Sequence, residues 1–176
     1  MKKVVLTFGI ISGAIVSAML FITMPLYKSG ALNLDNGAFI GYTTMIVASS
    51  MIFIGVKSYR DNQLHGSIKF AKALQVGVLI AGVASIMYAV AWEFDLHFLN
   101  PDFMDMYGRI MITKAEKSGA SPEKLQEIRD NLVMMQGIYK NPLARFGLTL
   151  LEIFPIGLIV SLISAAILRK KEVLPV

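Results

Sequence analysis

Glu152 is the one ionisable residue in the apolar stretch Phe146–Leu168. If that stretch spans a bilayer, the carboxylate lies about 9 Å deep, at ~1.5 Å per helical residue. An ionised acid there costs about 2–3 kcal/mol on insertion scales, and its default reading is functional. Pro155 removes the helical hydrogen bond to the Leu151 carbonyl and favours a kink beside the acid. Tyr42 and Thr44 in a second apolar stretch, and Tyr88 and Glu93 at the end of a third, fall at comparable levels. Arg145 precedes Glu152 by seven residues, on roughly the same helical face. These groups are expected to form a polar cluster in the outer half of a helical bundle. Its chemistry would be an ion, proton or ligand site at Glu152; the plainer account is a hydrogen-bonded acid that fixes helix register.

A second group is Lys57-Ser58-Tyr59-Arg60-Asp61-Asn62. It is expected to be a cytoplasmic turn, with Arg60 paired to Asp61, a cap for the next helix and contact with anionic headgroups; a solvated basic turn is the simpler account. Met104, Met106, Met111, Met134 and Met135, with His97 nearby, offer the thioether and imidazole ligands that copper(I) prefers. No dense methionine repeat accompanies them, so core filling by flexible side chains is expected instead. His65 and His97 are expected on opposite sides of the membrane and cannot share a metal. No metal site or cofactor is expected.

With no Cys in the chain, no disulfide or thiolate chemistry is available. The sequence contains no P-loop, no G-x-S-x-G, no H-E-x-x-H and no dinucleotide fingerprint. No basic surface interleaved with aromatics points to nucleic acid. An enzyme acting on lipid ranks last, for want of an acid–base pair or a metal set. The expectation is a non-enzyme with no catalytic residue.

The elements that must hold these residues are set by hydropathy. The chain has 176 residues, 55% hydrophobic and only 16% charged, with a mean hydropathy of +0.61. Soluble domains carry about 25% charge, so the composition points to the bilayer. Residues 4–26, 38–56 and 74–92 are free of charge, and 146–168 carries Glu152 alone. Each reaches the length of about 20 residues that a membrane helix needs. The first stretch is too long for a typical signal peptide core of about 7–15 residues and is expected to stay on the chain.

Lys2, Lys3, Lys57, Arg60, Lys69, Lys72, Arg169, Lys170 and Lys171 flank one set of span ends, against Lys28 alone in the first short loop on the other. The long segment 93–145 balances seven basic residues with eight acidic ones. Both termini are therefore expected in the cytoplasm. Small residues recur every four positions at Gly9, Gly13 and Ser17, at Gly77, Ala81, Ser85 and Ala89, and at Gly157, Ser161 and Ala165. Such strips let helices approach closely, either inside one bundle or between two copies.

Segment 93–145 is too patterned for a plain loop. Asn100-Pro101-Asp102 reads as a helix start, followed by Phe103, Tyr107, Ile110 and Met111 at helical spacing. Ser118-Gly119-Ala120 stops that helix and Ser121-Pro122-Glu123 starts another, whose seam is Leu125, Ile128, Leu132, Met135 and Tyr139. Asn141-Pro142 starts the last helix, which runs into the fourth span. The expected fold is all-α: one membrane domain over 1–176, a bundle of four transmembrane helices, with an extracytoplasmic helical hairpin over 100–140.

Four strings carry a family resemblance: Gly41-Tyr42-Thr43-Thr44-Met45, Phe53-Ile54-Gly55-Val56-Lys57-Ser58-Tyr59-Arg60-Asp61-Asn62, Gly66-Ser67-Ile68-Lys69-Phe70-Ala71-Lys72-Ala73, and Lys140-Asn141-Pro142 leading into Arg145-Phe146 and Leu151-Glu152-Ile153-Phe154-Pro155-Ile156-Gly157. Over almost the whole chain they resemble domain-of-unknown-function family forty-one ninety-nine. The resemblance implies a small multi-pass protein of the bacterial inner membrane and supplies no reaction. The expected role is to bind or stabilise a partner, either another membrane protein, a second copy or lipid. The alternative is a subunit of a small oligomeric permease or channel with Glu152 and Pro155 at its core.

Overall fold

The computed structural model describes residues 1–170, apart from the side chains of Leu34 and Asp35. Lys171, counted above among the basic residues of the tail, lies outside the described residues. The described chain is helical throughout: α1 (Lys2–Lys28), α2 (Leu34–Gln63), α3 (Phe70–Phe94), a π-helical turn (Asp95–Leu99), α4 (Phe103–Lys117), α5 (Pro122–Tyr139) and α6 (Pro142–Leu168). Four helices are long and apolar enough to cross a membrane: α1, α2, α3 with its π-helical turn, and α6. The described residues group into two compact units, one of 1–91 with 150–170 and one of 92–149.

In the first unit, helix contact follows the small-residue strips. A Cβ at Gly9 would come within 2.6 Å of Val83, and one at Gly13 within 2.8 Å of Met87, so α1 lies directly on α3. A Cβ at Gly77 would meet Ser161 at 2.9 Å, and one at Gly157 would meet Ala81 at 2.7 Å, so α3 and α6 interlock. Gly55 of α2 takes Ile80 and Phe8 in the same way. Ile52, Val56, Val76, Ile80 and Ala165 are fully or almost fully buried in the core this creates. Ser12 donates to the Ala48 carbonyl at 2.9 Å and ties α1 to α2. The strips are spent inside one chain, because close approach is how apolar helices gain contact when lipid offers no hydrophobic drive.

One end of this unit gathers the chain's N-terminus, the α2–α3 turn and the end of α6. The Met1 ammonium donates to Gln63 Oε1 at 2.6 Å. Ile68 and Lys170 exchange backbone hydrogen bonds at 3.0 Å. The expected turn at 57–62 is helix instead: α2 continues to Gln63, and the turn follows it. Arg60 and Asp61 do pair, at 2.7 Å. Asp61 caps no helix, however, since its position lies within α2. Arg60 donates from Nη1 to the Leu168 carbonyl at 3.4 Å, one of the carbonyls α6 leaves open at its end. Tyr59 is buried beside this core.

In the second unit, α4 and α5 lie against each other. Their facing residues are half-buried, which is what two helices can give one another without a third layer. A Cβ at Gly108 would touch Leu132 at 3.6 Å, placing the α5 seam on α4. Gly119, at φ 75°, makes the left-handed turn that ends α4. Ser121 Oγ accepts from the Lys124 amide at 3.3 Å to open α5. The same hydroxyl and the backbone amide of Glu123 hold the Glu123 carboxyl below the usual glutamate range. Asn141 Oδ1 accepts from the amides of Leu143 and Ala144 and opens α6 as expected. The start of α4 differs from expectation. It begins at Phe103 with Asp102 at the N-cap position, two residues past Asn100, whose side-chain amide donates instead to the buried Asp95 at 2.7 Å.

Candidate functional site

The residues expected to form one polar cluster occupy two separate settings. In the second unit, Glu93 at the end of α3 and Arg145 in the first turn of α6 form a two-pronged ion pair. Arg145 Nε donates to Glu93 Oε1 at 2.7 Å, and its Nη2 donates to Glu93 Oε2. Arg145 Nη1 donates to the Tyr139 carbonyl at 2.7 Å, at the end of α5. One planar guanidinium thus joins the ends of two helices to the start of a third, a geometry a lysine cannot reproduce. Both side chains are largely buried, at 15% and 24% exposure. Arg145 was expected to reach toward Glu152; its donors are committed to Glu93 and Tyr139 instead.

Beside this pair lies a feature that charge patterning did not reveal. The chain widens into the π-helical turn Asp95–Leu99, where Asp95 and Asn100 are buried and bonded through both side chain and backbone. Such turns are frequent at functional sites. Trp92 meets Phe103 edge-on at 5.0 Å, and Phe103 stacks with Tyr107 and Tyr139 at 5.9 and 6.1 Å. A cavity of about 300 Å³ opens against Phe103, Met104, Gln136, Tyr139 and Arg145. The only sequence signals were the aromatic spacing and the acid at Asp95, and neither predicts a wide turn. The Arg145 guanidinium is neutralised by Glu93, and the arrangement ties the ends of the helices together. Met104 lines the cavity, while Met134 is 61% exposed. No cluster of three or more His, Cys, Asp or Glu side chains occurs among the described residues.

In the first unit, Glu152 points outward. It shares an exposed stripe of α6 with Leu151, Pro155, Ile159 and Ile163, at the helical repeat. Glu152 makes no hydrogen bond or ion pair among the described residues. Tyr42 is also outward, at 65% exposure. The Thr44 hydroxyl donates to its own helix at the Ile40 carbonyl, 2.8 Å away. Tyr88 is half-buried on α3. A void of about 30 Å³ lies inside the unit among Ser12, Ser49, Ser85 and Ile153.

No curated protein and no solved structure matches the chain. A family described as Protein of unknown function (DUF4199) matches residues 7–170, which takes in most of the first helix and everything described after it, and the chain belongs to it.

Proposed function

We propose that this protein is a non-enzymatic, multi-pass protein of the bacterial cytoplasmic membrane that binds a helix of another membrane protein along the outer stripe of α6. The observation that carries this is Glu152, outward amid Leu151, Pro155 and Ile159 and without a partner among the described residues. Intramembrane acids almost always face a bundle interior or a water-filled cavity and pair there. This one faces away from its own bundle and has no partner among the described residues, which supports a partner supplied by another chain. A Lys, Arg or His on a neighbouring helix supplies the missing charge. A second copy would bring no Lys or Arg at that depth, since the four apolar stretches contain none. In this arrangement both termini are cytoplasmic and residues 93–145 lie outside. The alternative, a subunit of a small oligomeric permease or channel with Glu152 and Pro155 at its core, would place the path between copies, where this outward stripe lies.

A photoreactive amino acid at Leu151, which is 72% exposed, tests the assignment in native membranes. The expected result is one protein adduct that persists in Glu152→Asp and is lost in Glu152→Leu. Adducts with lipid alone, or an adduct indifferent to Glu152→Leu, would overturn it. A self-adduct would transfer the face to a homo-oligomer and favour the permease.

A further inference from the structure

Where the α2–α3 turn meets the end of α6, the first unit carries a basic groove of about 1140 Å³. Its walls include His65, Lys69, Lys72, Arg169 and Lys170, with Phe70 among them. The walls are fixed by backbone bonds. The amides of Leu64 and Gly66 both donate to the Arg60 carbonyl, at 3.2 and 3.0 Å, and Gly66 turns at φ 89°. Ile68 and Lys170 then latch the two segments together through their paired backbone bonds.

The bias of Lys and Arg toward one side of a membrane explains why cations gather at this end. It does not explain why cations a hundred residues apart in sequence line one concavity. No carboxylate lines the groove among the described residues. Arg60, by contrast, is engaged by Asp61 and the Leu168 carbonyl and stands outside it. Lys72 gives one hydrogen bond to Gln75 at 3.0 Å and keeps donors in hand. α3 begins at Phe70, so the positive end of its dipole adds to the field.

The groove is far larger than a lone phosphate requires, and part of its wall is apolar: Leu64, Ile68 and the partly exposed Phe70. The charge-free run begins one turn further on, at Leu74, so the groove sits where a membrane surface meets water. We propose that it binds the phosphate headgroup of an anionic phospholipid, with Lys69, Lys72, Arg169 and Lys170 around the phosphate and Phe70 against the glycerol and upper acyl chain.

Native mass spectrometry of the full chain in detergent, titrated with short-chain phosphatidylglycerol, tests this. One saturable adduct is expected, with phosphatidylcholine binding at least tenfold more weakly. Lys69→Gln with Arg169→Gln should weaken it about 30-fold, two surface cations at roughly fivefold each. Lys2→Gln with Lys3→Gln removes the same charge from the same end, outside the groove, and should change affinity less than twofold. If the first double variant melts early, Lys69→Gln alone carries the test at about fivefold. Equal binding of phosphatidylcholine, or an equal loss in the Lys2/Lys3 control, would overturn the site. Inorganic phosphate binding as tightly as the lipid, with the same dependence on Lys69 and Arg169, would overturn the lipid assignment in favour of a soluble anion.

Discussion

Arg145 spans Glu93 and the Tyr139 carbonyl, so its loss removes three hydrogen bonds from the largely buried Glu93 carboxylate and the Tyr139 carbonyl. Arg145→Lys keeps the charge but cannot serve both acceptors, and Glu93→Gln keeps the shape but loses the ion pair. Each is expected to cost about 2 kcal/mol, the range for charge-assisted hydrogen bonds, read as earlier melting in detergent by circular dichroism. Unchanged melting in both would show that the clamp bears no load. Glu152 should behave in the opposite way. It has no donors among the described residues to strand, so neither Glu152→Gln nor Glu152→Leu is expected to lower the melting temperature, since each removes a carboxylate that is costly at that depth. A register role would instead make the leucine variant melt early. The effect of Glu152→Leu is expected in partner capture alone.

At the scale of the helix, glycine positions distinguish contact from mere composition. Gly157 faces Ala81 at a distance that admits no Cβ, while Gly82 has nothing within 4 Å of where a Cβ would lie. Gly157→Ala is therefore expected to destabilise by about 1–3 kcal/mol through overpacking. Gly82→Ala should be neutral or slightly stabilising, since alanine favours the helix; equal melting of the two would contradict the α3–α6 contact. In the second unit, Leu132 meets α4 at Gly108, while Lys124 is exposed and paired only with Glu127. Leu132→Asp buries a carboxylate without a partner and should make α4 and α5 sensitive to limited proteolysis. Lys124→Asp should leave the digestion pattern unchanged, and indistinguishable patterns would show that the seam is not in contact.

For the whole molecule, orientation is the decisive quantity. The Met1 ammonium on Gln63 and the Ile68–Lys170 bridge bring the N-terminus, the α2–α3 turn and the end of α6 together. A single topology must therefore account for all of them. The basic bias predicts that reporters fused after Lys57 and after Lys170 read cytoplasmic, and that one fused at Gly119 reads outside. A cytoplasmic signal at Gly119 would reverse the proposed threading and place the second unit on the opposite side.

The sequence by itself determined the four apolar helices, because bilayer length and the obligatory pairing of backbone groups leave no alternative. It also determined the breaks at Gly119, Ser121 and Asn141, where local chemistry acts within a few residues. Family membership was legible too, in strings that follow those same helices. Helix limits near charge were less legible: Lys57 to Asn62 looked like a turn, yet α2 passes through it, since nothing local forces a helix to stop where its apolar run ends. Side-chain partnership was not legible at all. Spacing put Arg145 and Glu152 on one helical face, but a guanidinium bonds whatever acceptors lie within a few ångströms, and Glu93 and Tyr139 come from other helices. Only the tertiary structure decided that the small-residue strips are consumed within one chain and that Glu152 faces outward. The direction a side chain points depends on which neighbours cover its helix, and hydropathy, which is the same for a lipid-facing and a buried leucine, does not record it.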